Sequence, residues 1–340
     1  MTFDVEALAE FTAVAAPTGS EGERLAWLER RLAGAPGTCR RDGAGNLIWR
    51  EGDGDGQPAV LVMAHVDTVF DADTPLTITR DGGDLVGPGV GDNAAAVITV
   101  VSVLQFALPP GVVVAFTVGE EGLGDLRGAR HVCAELSPAC ALAVEGHGLD
   151  EIVTDHVGSL RARVTVTGPG GHSWWDRGTP SAIHGLVELA GPLARSGANV
   201  GTIAGGRAVN AIAAHAEMLV ELRSLAEDEL TAFGDWVAAL EVGAPLAVAC
   251  EIVGRRPAGR IDPKHPLVRA VRAAREALGL SGGCRSGSTD ANAAAALEIP
   301  AVGIGCGRGS GMHTVGERID VASLELGCRQ LEAVLGALAR

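Results

Sequence analysis

Four uninterrupted apolar runs of strand length constrain this chain more than any other feature: Ala59–Ala64, Val112–Val118, Ala139–Val144 and Ile299–Ile304. A strand with one face in water alternates apolar and polar residues, because successive side chains point to opposite faces. Runs without alternation belong to strands buried on both faces, as in a parallel sheet covered by helices. Helix-like segments between them, such as Asn93–Leu108, support an α/β fold. The stretch Ala94–Val118 is nearly uncharged and long enough to span a bilayer, but Gln105 and the break at Pro109-Pro110-Gly111 divide it. A buried helix followed by a buried strand is the expectation there.

The flanking regions read differently. The first residues up to about Arg50 suggest two helices and a hairpin, with Ser20 and Glu23 at capping-box spacing and a turn over Asp42–Asn46. From Leu160 to Thr167 the sequence LRARVTVT alternates with period two, the mark of a strand buried on one face. A helix over Ser181–Ala194 follows, then strands over Val200–Ala204 and Ala208–Ala214. Next come an alternating strand over Ala216–Ser224, a helix over Asp228–Val242 and a strand over Leu246–Val253. That β-α-β-β-α-β order describes a small α+β domain with one open face. Pro266–Leu278 resumes as a helix and Ile299–Ile304 as a buried strand, so residues 157–258 are read as an insertion between 1–156 and 259–340 of one α/β domain with a mainly parallel sheet.

A chain of 340 residues accommodates two domains. Its 42 acidic and 27 basic residues leave a formal charge of −15, which argues against nucleic acid or an anionic membrane surface as a partner. Seven scattered cysteines, none in a C-x-x-C pair, suggest free thiols in a reducing compartment. The opening Met-Thr-Phe-Asp-Val-Glu lacks the basic-then-apolar character of a secretory signal, so the expected location is cytoplasmic.

Polar residues collect where the buried runs end. The first run leads into His65-Val-Asp67, the second into Gly119-Glu120-Glu121, the third into Glu145, and the fourth reaches His313 through a Gly-rich loop. Asp92 sits in the loop before the long apolar helix. Open α/β sheets bind ligands outside the carboxyl ends of their strands. Carboxylates gathered that closely repel one another unless a cation neutralises them, and a pair of divalent ions is the simplest answer. Mixed His and carboxylate donors favour zinc or a similar first-row metal over magnesium or calcium. At the third run, His147 and Asp150 compete with Glu145 for the role.

These residues also carry a resemblance. HVD at 65–67, GPGVGDN at 87–93, GEEG at 119–122, Glu145, GPGGHS at 168–173 and GMHT at 311–314 occur in order along nearly the whole chain. The set resembles the di-zinc exopeptidases and deacylases that include peptidase T-like tripeptidases, glutamate carboxypeptidase, succinyl-diaminopimelate desuccinylase and acetylornithine deacetylase. GSTDAN at 287–292 and the IPAVGIGCG that follows look most like the peptidase side. The resemblance implies two Zn2+ per chain, with Co2+ or Mn2+ as substitutes. His65 and Glu145 would hold one ion, Glu121 and His313 the other, and Asp92 would bridge them. Asp67 would orient His65 through its other ring nitrogen. Glu120 would be the general base for a metal-bridging water.

In the insertion, the resemblance implies a lid and dimerisation domain. His172 would reach across a homodimer to stabilise a developing oxyanion, and Asn210 and Arg223 would bind substrate. From the residues alone, His172 is equally a turn histidine and Arg223 equally a surface strand residue. Ala94, Ala96 and Ala213 stand where relatives often carry Lys, Gly and Pro, none of them a ligand position. The chain has no G-x-S-x-G for a serine hydrolase and no G-x-G-x-x-G opening a helix for a dinucleotide. The expected function is exopeptidase cleavage of short peptides, with an N-acyl amino acid deacylase using the same site as the alternative. A binding protein that keeps the fold without the chemistry is disfavoured by the intact ligand set.

Overall fold

A computed structural model describes residues 3–52 and 56–338. Met1 and Thr2 of the opening stretch, and the last two residues of the 259–340 segment, lie outside the described residues. The chain divides into two compact units, Met1–His156 with Gly259–Arg340, and Val157–Ala258.

The first unit is built on a nine-stranded sheet. Its centre is four adjacent parallel strands in the order Val112–Thr117, Val60–His65, Cys140–Glu145 and Ala301–Gly305. The alternate side chains of these runs enter different cores, which is why the sequence does not alternate. Val60, Val62, Ala64, Val112, Val114 and Phe116 join the helices Val5–Thr12, Gly22–Leu32, Ala96–Val103, Pro266–Glu276 and Val321–Leu338. Leu61, Met63, Val113 and Ala115 pack instead with Leu126, Ala129, Val132 and Ala291 from the helices on the other face and the turn before them. The α/β class with a mainly parallel sheet flanked by helices is thus borne out. The hairpin Thr38–Arg41 with Leu47–Arg50 adds antiparallel strands at one edge.

Three local expectations are corrected, and two strands form that the sequence did not announce. The second helix starts at an N-cap Glu21 without a side-chain cap bond, because Glu21 accepts the Gly19 amide (2.8 Å) and Ser20 makes no cap. The helix expected over Asn93–Leu108 runs only over Ala96–Val103. It is preceded by a turn at Val90–Ala95 in which Asp92 and Asn93 leave helical geometry, held by Asn93 bonds to Val144 O and the Gly146 amide. The strand expected over Ala208–Ala214 contracts to Ala211–Ile212. Glu151–His156 and Gly283–Gly287, with too few apolar residues to read as core strands, pair in parallel in the main sheet. Among the described residues no helix is long and apolar enough to cross a membrane.

The second unit is an antiparallel sheet in the order Asn199–Gly205, His215–Ser224, Gly158–Thr167 and Ala247–Arg256. Leu160, Ala162, Val164 and Val166 face the helices Ala182–Arg195 and Glu227–Ala238, while Arg161 and Arg163 on the other face bind Glu221 and Glu251. This is the one-faced burial that period-two alternation requires.

Candidate metal centre

Each buried strand delivers its polar residue at its carboxyl end. His65 and Glu145 are the last residues of their strands. The Val112–Thr117 strand exits through Gly119, whose positive φ (68°) turns the chain so that Glu120 and Glu121 follow at once. Asp92 comes from the irregular turn at the start of the Ala96–Val103 helix. His313, itself at φ 63°, lies in the loop between the short strands Gly309–Ser310 and Arg318–Asp320.

Asp92 is the centre of the arrangement. Its Oδ1 is 3.1 Å from His65 Nε2 and its Oδ2 is 3.1 Å from His313 Nε2, so the two carboxylate oxygens face different imidazoles. His65 Nε2 also lies 3.7 Å from Glu145 Oε2, and His313 Nε2 lies 3.3 Å from Glu121 Oε1. Two donor sets therefore share Asp92, one with His65 and Glu145 and one with Glu121 and His313. A third close grouping joins His65, Glu120 and Glu121. These imidazole and carboxylate donors fit a pair of divalent first-row ions, and the sharing of a two-oxygen carboxylate fits a bridge between them.

Burial and mutual charge shift the titrations of these donors. Burial drives the Glu145 carboxyl well above the usual range; the charges of Glu120 and Asp92 add to this and His65 opposes it. Burial likewise raises Glu121, with Glu120 and Asp92 adding and His313 opposing. Bonds to Asp92 and Glu121 lift the His313 imidazole to about 10. Burial opposes charge on His65, yet Asp67, Asp92 and Glu120 together hold its pKa well above the ordinary value. Asp92 moves the other way: burial alone would raise it, and bonds to His313 and His65 pull it down.

Asp67 organises the base region. Its Oδ1 accepts the Glu120 amide (3.0 Å) and its Oδ2 accepts the Glu121 amide (2.9 Å) and Thr18 Oγ1 (2.9 Å). The same carboxylate is 3.4 Å from His65 Nδ1, the ring nitrogen away from Asp92. One buried residue thereby fixes the backbone of both glutamates through its carboxylate and the ring of the histidine, whose Nδ1 also meets Asp67 O at 3.2 Å. Behind it, the buried Arg24 donates to Val14 O and Val66 O.

The rivals at the third strand end separate cleanly. Glu145 faces His65, Asp150 is held at the surface by Arg308 (2.6 and 2.8 Å), and His147 is buried against Glu317 (2.6 Å). Glu317 was not among the sequence candidates, and neither was Asp290. Burial, and then the charge of Glu120, raise the Asp290 carboxyl to about 7, and it accepts the hydroxyl of Thr117 at the strand end. The GSTDAN motif was the one sequence signal for it.

The three candidates of the insertion are in the second unit. His172 and Asn210 come together there: Gly171–His172 pairs with Ala211–Ile212, and the Ser173 amide donates to Asn210 O (3.1 Å). His172 Nδ1 accepts the Trp174 amide (3.1 Å), which assigns the ring proton to Nε2. Trp174 and Trp175 beside it are 58% and 80% exposed. Arg223 is not part of that group. Strand register pairs it with Ser159, at the end opposite the His215–Thr167 pair that leads to the His172 segment, and its Nε donates to Glu221 (2.9 Å).

Comparison with known proteins follows the same lines. Along its full length the chain is 26% identical to a succinyl-diaminopimelate desuccinylase from Ruegeria pomeroyi, covering 99% of that protein. Its fold is that of a tripeptidase from Staphylococcus aureus, with a TM-score of 0.79 and 22% identity over 100% of both chains. A dinuclear metal binding peptidase of the M20 family from Bacillus subtilis has the fold as well, with a TM-score of 0.67 and 15% identity over 97% of this chain and 96% of that one. Residues 61–337 match the peptidase family M20/M25/M40. The resemblance read from the motifs is borne out: the chain is a hydrolase belonging to peptidase family M20/M25/M40, a family of metal-binding enzymes that act on amide bonds.

Proposed function

We propose that the protein is a zinc-dependent exopeptidase that removes terminal residues from short peptides. The carrying observation is Asp92, whose two oxygens face His65 and His313 between Glu145 and Glu121 at the carboxyl edge of the sheet. In this reading His65, Asp92 and Glu145 hold one ion and Asp92, Glu121 and His313 the other. When bound, the ions supply Lewis-acid polarisation of the scissile carbonyl and offset the negative charge that develops on it.

The chain's own residues carry the proton. Glu120 accepts a proton from the attacking water as the new C–O bond forms, then delivers it to the leaving nitrogen as the C–N bond breaks. The C–N cleavage leaves a carboxylic acid and an amine, the acid's remaining proton passes to the amine so that a carboxylate and an ammonium depart, and Glu120 is returned to its starting state. Asp67 keeps Glu120 in place by accepting its amide and fixes the His65 ring from behind. His172 Nε2–H would donate to the developing oxyanion, contributed by the partner in a homodimer formed through the 157–258 unit. Asn210 would line the substrate site beside it, and Arg223 would clamp a substrate carboxylate. The disulfide-free cysteines accord with a cytoplasmic setting.

The likeness to a desuccinylase favours one alternative, hydrolysis of N-acyl amino acids at the same site. Both reactions cut an amide beside a carboxylate, so product analysis separates them. The zinc-loaded protein is incubated with free dipeptides, free tripeptides and N-acyl amino acids, with and without chelator, and products are read by mass spectrometry. Chelator-sensitive release of a terminal residue is the expected result. Cleavage of acyl compounds alone moves the protein to the deacylases, and cleavage that survives full metal removal overturns the metal reading.

A further inference from the structure

Three segments bring Asp92, Glu145 and His313 together, and all three meet at one buried pair outside the donor sets. The Glu317 carboxylate is fully buried, and its Oε1 accepts both the Asp92 amide (2.8 Å) and His147 Nε2 (2.6 Å). Glu317 follows His313 in the same loop, and His147 follows Glu145 on the same strand exit. The loop of Asp92 is joined to that of His313 a second time, where the Gly87 amide donates to Glu317 O (2.8 Å). It is joined to that of Glu145 through Asn93, which takes the Gly146 amide (2.8 Å) and donates to Val144 O (3.0 Å).

The glycines around the pair leave it no slack. A Cβ on Gly91 would collide with His147 Nε2 and lie 2.7 Å from Glu317 Oε1. A Cβ on Gly309 would lie 2.7 Å from His147 Cε1. A buried carboxylate is costly unless it is bonded and paired, so a chain that needed only apolar packing here would be better served by an apolar side chain.

We propose that Glu317 and His147 are positioning residues that set the register of the Asp92, Glu145 and His313 segments, and so the affinity and geometry of the shared metal pair. The proposal rests on the metal reading given above. Glu317 acts on Asp92 directly: the amide it accepts belongs to the residue whose carboxylate is shared by both donor sets. Its Oε1 bonds the Asp92 amide and the His147 ring and none of the donor atoms, so its effect passes through the backbone of the bridge.

The test uses the full chain stripped of metal and titrated with Co2+, read by visible absorption and by competition with a chromophoric chelator. Glu317→Ala is expected to weaken Co2+ binding about 10–100-fold and alter the absorption bands, as the loss of an outer-sphere partner does. Glu317→Gln, which keeps Oε1 as acceptor, is expected to recover most of the affinity and the wild-type bands. A Glu317→Ala protein with wild-type circular dichroism, affinity and bands overturns the proposal. If Glu317→Ala fails to fold, His147→Asn decides: weaker binding in the same direction supports the proposal, and unchanged binding overturns it. Wild-type protein that binds no Co2+ sinks the metal reading itself, a different outcome from wild-type binding that Glu317→Ala leaves intact.

Discussion

The two places where the chain gathers unusual side chains are built on opposite principles. At the carboxyl edge of the main sheet, His65, Asp67, Glu120 and Glu121 are buried and bonded mainly to one another or to backbone amides. In the 157–258 unit, His172 and its neighbours Trp174 and Trp175 are exposed, held by a two-residue ribbon and amide bonds to the imidazole. Burial makes the first site dependent on charge compensation, because each carboxylate taken from water must be paired or neutralised. Exposure leaves the second site without that requirement, and also without the low dielectric that makes a donated hydrogen bond strong. A site of the first kind is finished by ions, and one of the second kind by whatever later excludes water from it.

That contrast can be broken at several points. The largest expected effect is at the base: Glu120→Ala should lower kcat about 10²–10⁴-fold with metal content unchanged, measured by steady-state kinetics beside metal analysis. A fully active Glu120→Ala enzyme would remove the base from Glu120. His172→Ala should lower kcat about 10²–10³-fold, the range for a lost oxyanion donor, again with metal content retained. Loss of metal on His172→Ala would place this residue with the donors and erase the distinction between the two sites.

A third expectation follows from the titrations. The His313 pKa is raised to about 10 in the fold, above its ordinary 6.5. Its stabilising contribution in the metal-free protein is therefore complete below about pH 6.5 and lost as pH rises through about 10. Glu121 and Glu145, also raised, work in the same direction. Metal-free protein should lose thermal stability between pH 7 and 10, and His313→Ala should flatten that decline. Metal binding at pH 7 should release protons, seen as a binding enthalpy that varies with the ionisation heat of the buffer. Binding with no proton release would mean that the donors are already deprotonated. The smallest effect is at the open face of the second unit, where the exposed Arg163–Glu251 pair (2.8 Å) should contribute less than about 1 kcal/mol to stability when Arg163→Ala is compared with wild type by denaturant unfolding.

Much of the site was legible because of where apolar runs stop. His65 and Glu145 terminate runs whose alternate residues fill two cores, and a polar residue at that point has only the strand-end crevice to enter. The alternation of Leu160–Thr167 announced a one-faced sheet for the same local reason. What local pattern did not carry was any pairing between distant segments. The Ser20–Glu23 spacing matched a cap that the chain does not make, since Glu21 bonds the Gly19 amide instead. Asp290 stood in a quoted motif, yet its bond to Thr117 depends on two strand exits lying side by side.

The sequence by itself determined which segments are buried on two faces and which on one, because side-chain periodicity reports burial residue by residue. It also determined that acids and histidines leave the buried strands at one edge. Only the tertiary structure decided which of them face each other. It turned Glu145 to His65, gave His147 to Glu317, held Asp150 at the surface, and set Arg223 at the far end of its strand from the His172 segment. Asp92 and Glu317 are 225 residues apart and meet through a single amide hydrogen bond. Such contacts come from the register of strands and the path of loops, and no periodicity in either segment encodes its distant partner.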